Sequence, residues 1–144
     1  HGLKETGTDQ KSPFSRLVAM TFFSNEPPGI VSIGMDAVAA ACAEGGDDFA
    51  GPLVKMRVVE ALEQMLRDAE RRGRPPAAGV MRLVASLSSC EGLQLHLGRR
   101  PELVTLVCDQ ARAETAVGTL ALLTLRNLAF CPPLKNQMCL DARL

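Results

Sequence analysis

Residues 114–130 read Glu-Thr-Ala-Val-Gly-Thr-Leu-Ala-Leu-Leu-Thr-Leu-Arg-Asn-Leu-Ala-Phe, and Cys131-Pro132-Pro133 follows at once. The segment is apolar almost all the way round a helix. Ala116, Val117, Leu120–Leu123, Leu125 and Leu128–Phe130 leave little of it for water. A helix of that kind in a non-membrane protein must be covered on several sides by other elements. The two prolines that follow end it abruptly. This one stretch already points to a layered helical body.

Working outward, the rest of the chain reads as helices separated by Gly and Pro. Ser12-Pro13 predicts an N-cap followed by proline at the first helical position, and Phe14, Leu17, Val18, Thr21 and Phe22 recur at helical spacing. A second helix is predicted from Pro28 to about Ala43, with Val31, Met35, Val38 and Cys42 on one face and Gly45-Gly46 at its end. Residues 47–51 read as a loop. A third helix is predicted over Pro52–Arg72, with Val58, Leu62, Met65, Leu66 and Ala69 inward. Its outer face is expected to carry Glu60, Glu63, Gln64, Arg67, Asp68 and Arg71, with Glu63–Arg67 and Asp68–Arg72 as i,i+4 ion pairs. Further helices are predicted with Val80, Leu83, Val84 and Leu87 on one ending near Ser89, over Glu91–Leu97 and from Pro101, and a last short one carries Leu134 and Met138. No segment alternates with period two, so the fold class is all-α. Residues 1–11 are polar and aperiodic and are expected to form a flexible tail before one domain over 12–144.

The chain also matches itself. Leu87-Ser88-Ser89-Cys90-Glu91-Gly92-Leu93-Gln94 superposes on Leu128-Ala129-Phe130-Cys131-Pro132-Pro133-Leu134-Lys135, an offset of 41 residues. The register continues through Leu97/Met138 to Leu103/Leu144. Such a period, with a helix, a tight break, a short helix and a long helix, describes stacked helical layers.

Residues Leu123–Phe130, followed by Leu134-Lys135-Asn136-Gln137, resemble the end of one armadillo repeat and the start of the next. The resemblance covers about residues 80–144. It implies an armadillo-like right-handed α-solenoid of about three repeats. The phrase around Leu125–Lys135 is also similar to the rotatin-like armadillo proteins of the centriole and cilium base, which implies a centrosomal or ciliary setting. In peptide-binding armadillo proteins, Asn side chains of the third helices grip an extended peptide backbone, and Asn127 falls on that motif position. Nuclear-import members place a Trp four residues earlier, where this chain has Leu123. One repeat back, the same positions hold Ser86 and Arg82. The resemblance therefore implies a partner-binding strip of Arg82, Ser86, Leu123 and Asn127, without the Trp–Asn array that reads basic localisation signals. The plainer alternative for Asn127 is an amide that satisfies a backbone group at a helix end.

Composition narrows the functions. The chain has 144 residues with 47% hydrophobic and 22% charged side chains, which excludes global disorder. No apolar run reaches the ~18 residues of a membrane helix, and no secretory signal opens the chain. His1 is not an initiator residue, so a fragment or processed form is expected. The formal net charge is +0, which argues against a general polyanion binder. Arginines nevertheless concentrate from residue 71 onward, and a helical nucleic-acid-binding module using that half is the alternative reading. The absence of Trp and Tyr, with five Phe, leaves few stacking platforms for single strands.

The five cysteines, Cys42, Cys90, Cys108, Cys131 and Cys139, form no CxxC pair and are expected to stay reduced in an intracellular, cytoplasmic compartment. No metal or cofactor is expected. Gly29–Gly34 lacks the spacing of a nucleophile elbow. His96, between Leu95 and Leu97, reads as a surface or capping residue, and Asp47-Asp48 as loop and N-terminal caps. No catalytic group emerges. The function read from the residues is a non-catalytic protein–protein interaction scaffold. Its expected partner is a protein or peptide segment, with homotypic or neighbouring-repeat packing at uncovered faces.

Overall fold

A computed structural model describes residues 12–76 and 78–134. These residues are all-α, with no strand among them. The helices are α1 (Pro13–Phe22), α2 (Pro28–Gly45), α3 (Ala50–Lys55), α4 (Val58–Arg71), α5 (Ala78–Ser88), α6 (Glu91–Gly98), α7 (Pro101–Ala111) and α8 (Ala116–Ala129). A 3-10 turn over Gly46–Phe49 joins α2 to α3. The expected tail, Met138, Leu144 and Cys139 lie outside the described residues.

Local chemistry sets the boundaries. Ser12 Oγ accepts the Ser15 N–H at 3.0 Å and Pro13 opens α1 without a lost donor. Thr115 Oγ1 accepts the Gly118 N–H at 3.1 Å to start α8. Gly46, at φ 55 and ψ -127, takes a positive-φ backbone conformation open to glycine, which stops α2.

One predicted helix is two. The expected run over 52–72 breaks at Arg57, which has φ 61 and ψ 38. A left-handed non-glycine residue costs roughly 1–2 kcal/mol. The compensation is burial. On a straight helix, Leu53, Val58 and Val59 would spread over more than half the circumference, since successive residues turn by about 100°. The turn at Arg57 lets all three reach 0% exposure.

The helices pair in a regular order. α2 lies against α5, and α5 against α8; α4 packs on α7, and α3 on α6. Two successive triplets, α3–α4–α5 and α6–α7–α8, thus meet element by element. α1 packs on α2, where Gly34 lets Thr21 approach so closely that a Cβ would collide with its hydroxyl. Leu87 and Leu128, paired by the 41-residue register, are both buried, and so are Leu93 and Leu134. A single apolar core runs from Phe14 and Val18 to Leu128 and Leu134.

The polar face of α4 differs from its expected role. Glu63 is only 7% exposed rather than solvated. Its Oε1 accepts from Arg100 Nε at 2.8 Å and its Oε2 from Arg67 Nη2 at 2.7 Å. The expected Glu63–Arg67 pair is present, and α7 covers it. Asp68 pairs with Arg71 at 3.9 Å, not with Arg72. Arg72 lies past the end of α4, where its backbone N–H serves as the cap to Asp68 O.

Candidate functional site

The four residues proposed from the sequence line one groove. Arg82 and Ser86 come from α5, Leu123 and Asn127 from α8, and Asp36 and Ala39 of α2 close its other side. It exists because α2, α5 and α8 lie side by side, so side chains on one surface of each helix form a strip. Its volume is about 510 Å³, enough for a few side chains of an extended segment.

Two of the four already have partners. Arg82 Nη2 lies 3.1 Å from Asp36 Oδ1, and Nε donates to the same oxygen at 3.2 Å. The pair is about half exposed on each side and bridges α2 to α5. Asn127 Nδ2 donates to Ser88 Oγ at 3.0 Å and to Ala85 O at 3.5 Å, which ties α8 to the end of α5. Gln94 Nε2 extends this network, donating to Ser88 O at 3.0 Å and Asn127 O at 3.4 Å. The Asn127 amide therefore satisfies groups at a helix end, as its plainer reading expects. Its Oδ1 carries no hydrogen bond among the described residues, and Leu123 beside it is half-buried.

Among the groove residues that sequence reasoning missed are its two other charged groups, Asp36 and Arg126. Asp36 neutralises Arg82, so Arg82 is not the open cation of the strip. That role falls to Arg126, exposed at the groove edge with no ion-pair partner among the described residues. The signal for Arg126 was present, since it immediately precedes Asn127 in the armadillo-like phrase. Nothing in the sequence alone paired Asp36 with a residue 46 positions away.

The other polar clusters are structural. Besides Glu63, Arg100 reaches Glu60 at 3.4 Å, and Arg67 also pairs with Glu102 of α7. Burial works to raise the Glu63 carboxyl, but the hydrogen bonds from Arg100 and Arg67 outweigh it and hold it below its usual range. His96 is half-buried, with Nε2 3.5 Å from Glu60 Oε1 and no hydrogen bond. Asp47 does cap a helix, though not one of its own segment. Its Oδ1 accepts the Gly92 N–H at 3.0 Å, at the start of α6.

No group of three His, Cys, Asp or Glu among the described residues is arranged to hold a metal ion. Burial pushes the Cys42 thiol up to about 12, and raises Cys90 as well. Both are therefore protonated, poor nucleophiles at neutral pH. No described helix is long and apolar enough to cross a membrane.

Compared with known proteins, the chain matches no family model, and neither a curated protein nor a solved structure is detectably similar to it.

Proposed function

We propose that the chain is an armadillo-like right-handed α-solenoid of about three repeats that acts as a non-catalytic protein–protein interaction scaffold. The helix order supports this reading: a leading pair, α1–α2, is followed by two triplets whose members pack on their counterparts. The observation that carries the function is that Arg82, Ser86, Leu123 and Asn127, chosen by repeat register, line one groove across α5 and α8. An extended peptide lying there would meet apolar surface at Leu120 and Leu123, an acceptor at Asn127 Oδ1 and an unpaired cation at Arg126. Its preferred sequence is therefore apolar with an acidic residue placed to reach Arg126.

The arginine-bearing half supports a nucleic-acid reading poorly. Arg82, Arg100 and Arg112 are each held by carboxylates of the same chain, and so release few counterions from a polyanion. We place the protein in a reducing intracellular setting, with the centrosome or cilium base as the specific location suggested by the rotatin-like phrase.

A random-peptide display library selected against the chain tests the groove. Selected peptides should lose at least tenfold affinity on Leu123→Glu, which puts a charge in the groove, and keep it on Glu70→Arg, outside it. Peptides indifferent to Leu123→Glu would contradict the reading. Affinity for a DNA duplex that falls steeply with salt, with no peptide selected, would favour the alternative.

A further inference from the structure

Seven large apolar side chains are exposed among the described residues, and six lie on α1, α2 or α8 or at the ends of these helices. The distribution follows from the packing order. α5 is covered on both sides, by α2 and by α8; α2 is packed by α5 and α1, and α8 by α5 and α7, and each keeps one further face open. On α2, Met35 reaches toward α5, against Gly79. The other side of α2 carries Ile30, Ile33, Ala37, Ala40 and Glu44, spaced three and four apart and all exposed. Ile33 is 67% exposed. On α8, Leu122, Arg126 and Phe130 form a second stripe at i, i+4 and i+8, with Leu122 at 56% and Phe130 at 74%. Exposed apolar stripes of this kind mark interaction surfaces.

The two stripes are complementary. The charged residues of α2 are Asp36 and Glu44, both acidic, and that of α8 is Arg126. Asp36 is engaged by Arg82, which leaves Glu44 on the stripe unpaired among the described residues, as Arg126 is. The chain already contains two contacts between helices of this row, α2 with α5 and α5 with α8, so a third of the same kind needs no new geometry. We infer that the protein self-associates head to tail, the outer α2 stripe of one copy packing on the outer α8 stripe of the next. This inference rests on the order of the helices and not on what occupies the groove.

Such a contact is heterologous, so it propagates rather than closing at a dimer. It is also weak. A stripe from Ile30 to Glu44 is about 20 Å long, and helices pack about 10 Å apart, which gives a footprint well under the ~800 Å² per partner of a stable complex.

Sedimentation velocity of the full chain across a concentration series tests the inference, with Ile33→Glu and Leu122→Glu as variants. Both positions are exposed, so folding should be unaffected, which a thermal melt checks. The wild type should gain average mass with concentration without a plateau at the dimer. Each variant alone should stay monomeric. Mixed in equal amounts they should form dimers and nothing larger, because each supplies the end that the other has lost. A wild type that stays monomeric at every concentration would overturn the inference, as the end faces would then belong to some other occupant. So would a mixture that stays monomeric, or a Leu122→Glu variant that dimerises alone through two α2 stripes. Leu122 and Phe130 lie outside the groove and only Arg126 is shared with it, so a peptide selection that fails leaves these outcomes standing.

Discussion

Two seams hold the layers together, and they are built from different materials. The row of α2, α5 and α8 is joined by apolar side chains, with the Asn127–Ser88 hydrogen bond as an internal stitch and the Arg82–Asp36 pair at its exposed edge. The pairing of α4 with α7 adds to its buried side chains a charge cluster, Glu63 clamped between Arg67 of α4 and Arg100 at the start of α7. The first seam depends on area removed from water, which changes little with pH or salt. The charges of the second must give up solvent to meet, so their net contribution is small unless one partner is deleted.

Deletion in the apolar row should have the largest effect. Leu87→Ala or Leu128→Ala should each cost about 2–5 kcal/mol in urea unfolding, since both side chains are buried. A loss below about 1 kcal/mol at Leu128 would break the comparison at its stronger side.

Glu63→Gln should cost about 1–3 kcal/mol, less than a fully buried pair because Arg67 and Arg100 keep roughly 30% of their side-chain surface in water. The sign with pH is fixed by the lowered carboxyl. The stabilisation is present above the ordinary carboxyl value of 4.5 and is lost as pH falls through the lower folded-state value. Unfolding titrations should therefore show the wild type losing its advantage over Glu63→Gln in acid. A difference independent of pH would mean the contact is one of shape alone.

Asn127→Ala should cost about 1 kcal/mol, the usual worth of a hydrogen bond, with no dependence on pH between 5 and 8. It sharpens the comparison because it probes a polar contact inside the apolar seam. The smallest effect belongs to Arg57→Gly, expected to raise stability by about 0.5 kcal/mol. Relief of the left-handed strain exceeds the added freedom of the unfolded chain and the loss of the exposed Arg57–Glu60 pair at 3.6 Å. A destabilised Arg57→Gly would show that the turn is not strained.

The apolar seam was legible and the charged one was not, for a physical reason. Buried leucines repeat with the period of the helix and of the layer, so Leu87 and Leu128 could be matched 41 residues apart from sequence alone. Glu63 has the same residue type and helical phase as a solvated glutamate; only Arg100, brought over from the α6–α7 break, reveals it as buried. Arg57 hid for a related reason, since an arginine in a strong helical pattern carries no mark of a left-handed turn. In the candidate site the strip of four residues followed from the register, whereas the Asp36 counter-charge required the packing of α2 on α5.

The groove is the centre of the functional account, and a second depression between α4 and α7, lined by Arg67, Glu70, Glu102 and Asp109, is the natural competitor. Amide and side-chain NMR shifts of the labelled chain, followed while a display-selected peptide is added, compare them directly. The account expects the largest shifts at Arg82, Ser86, Leu123, Arg126 and Asn127, with residues of the second depression unmoved. Shifts concentrated at Arg67, Glu70 and Glu102, with Leu123 and Asn127 silent, would contradict it.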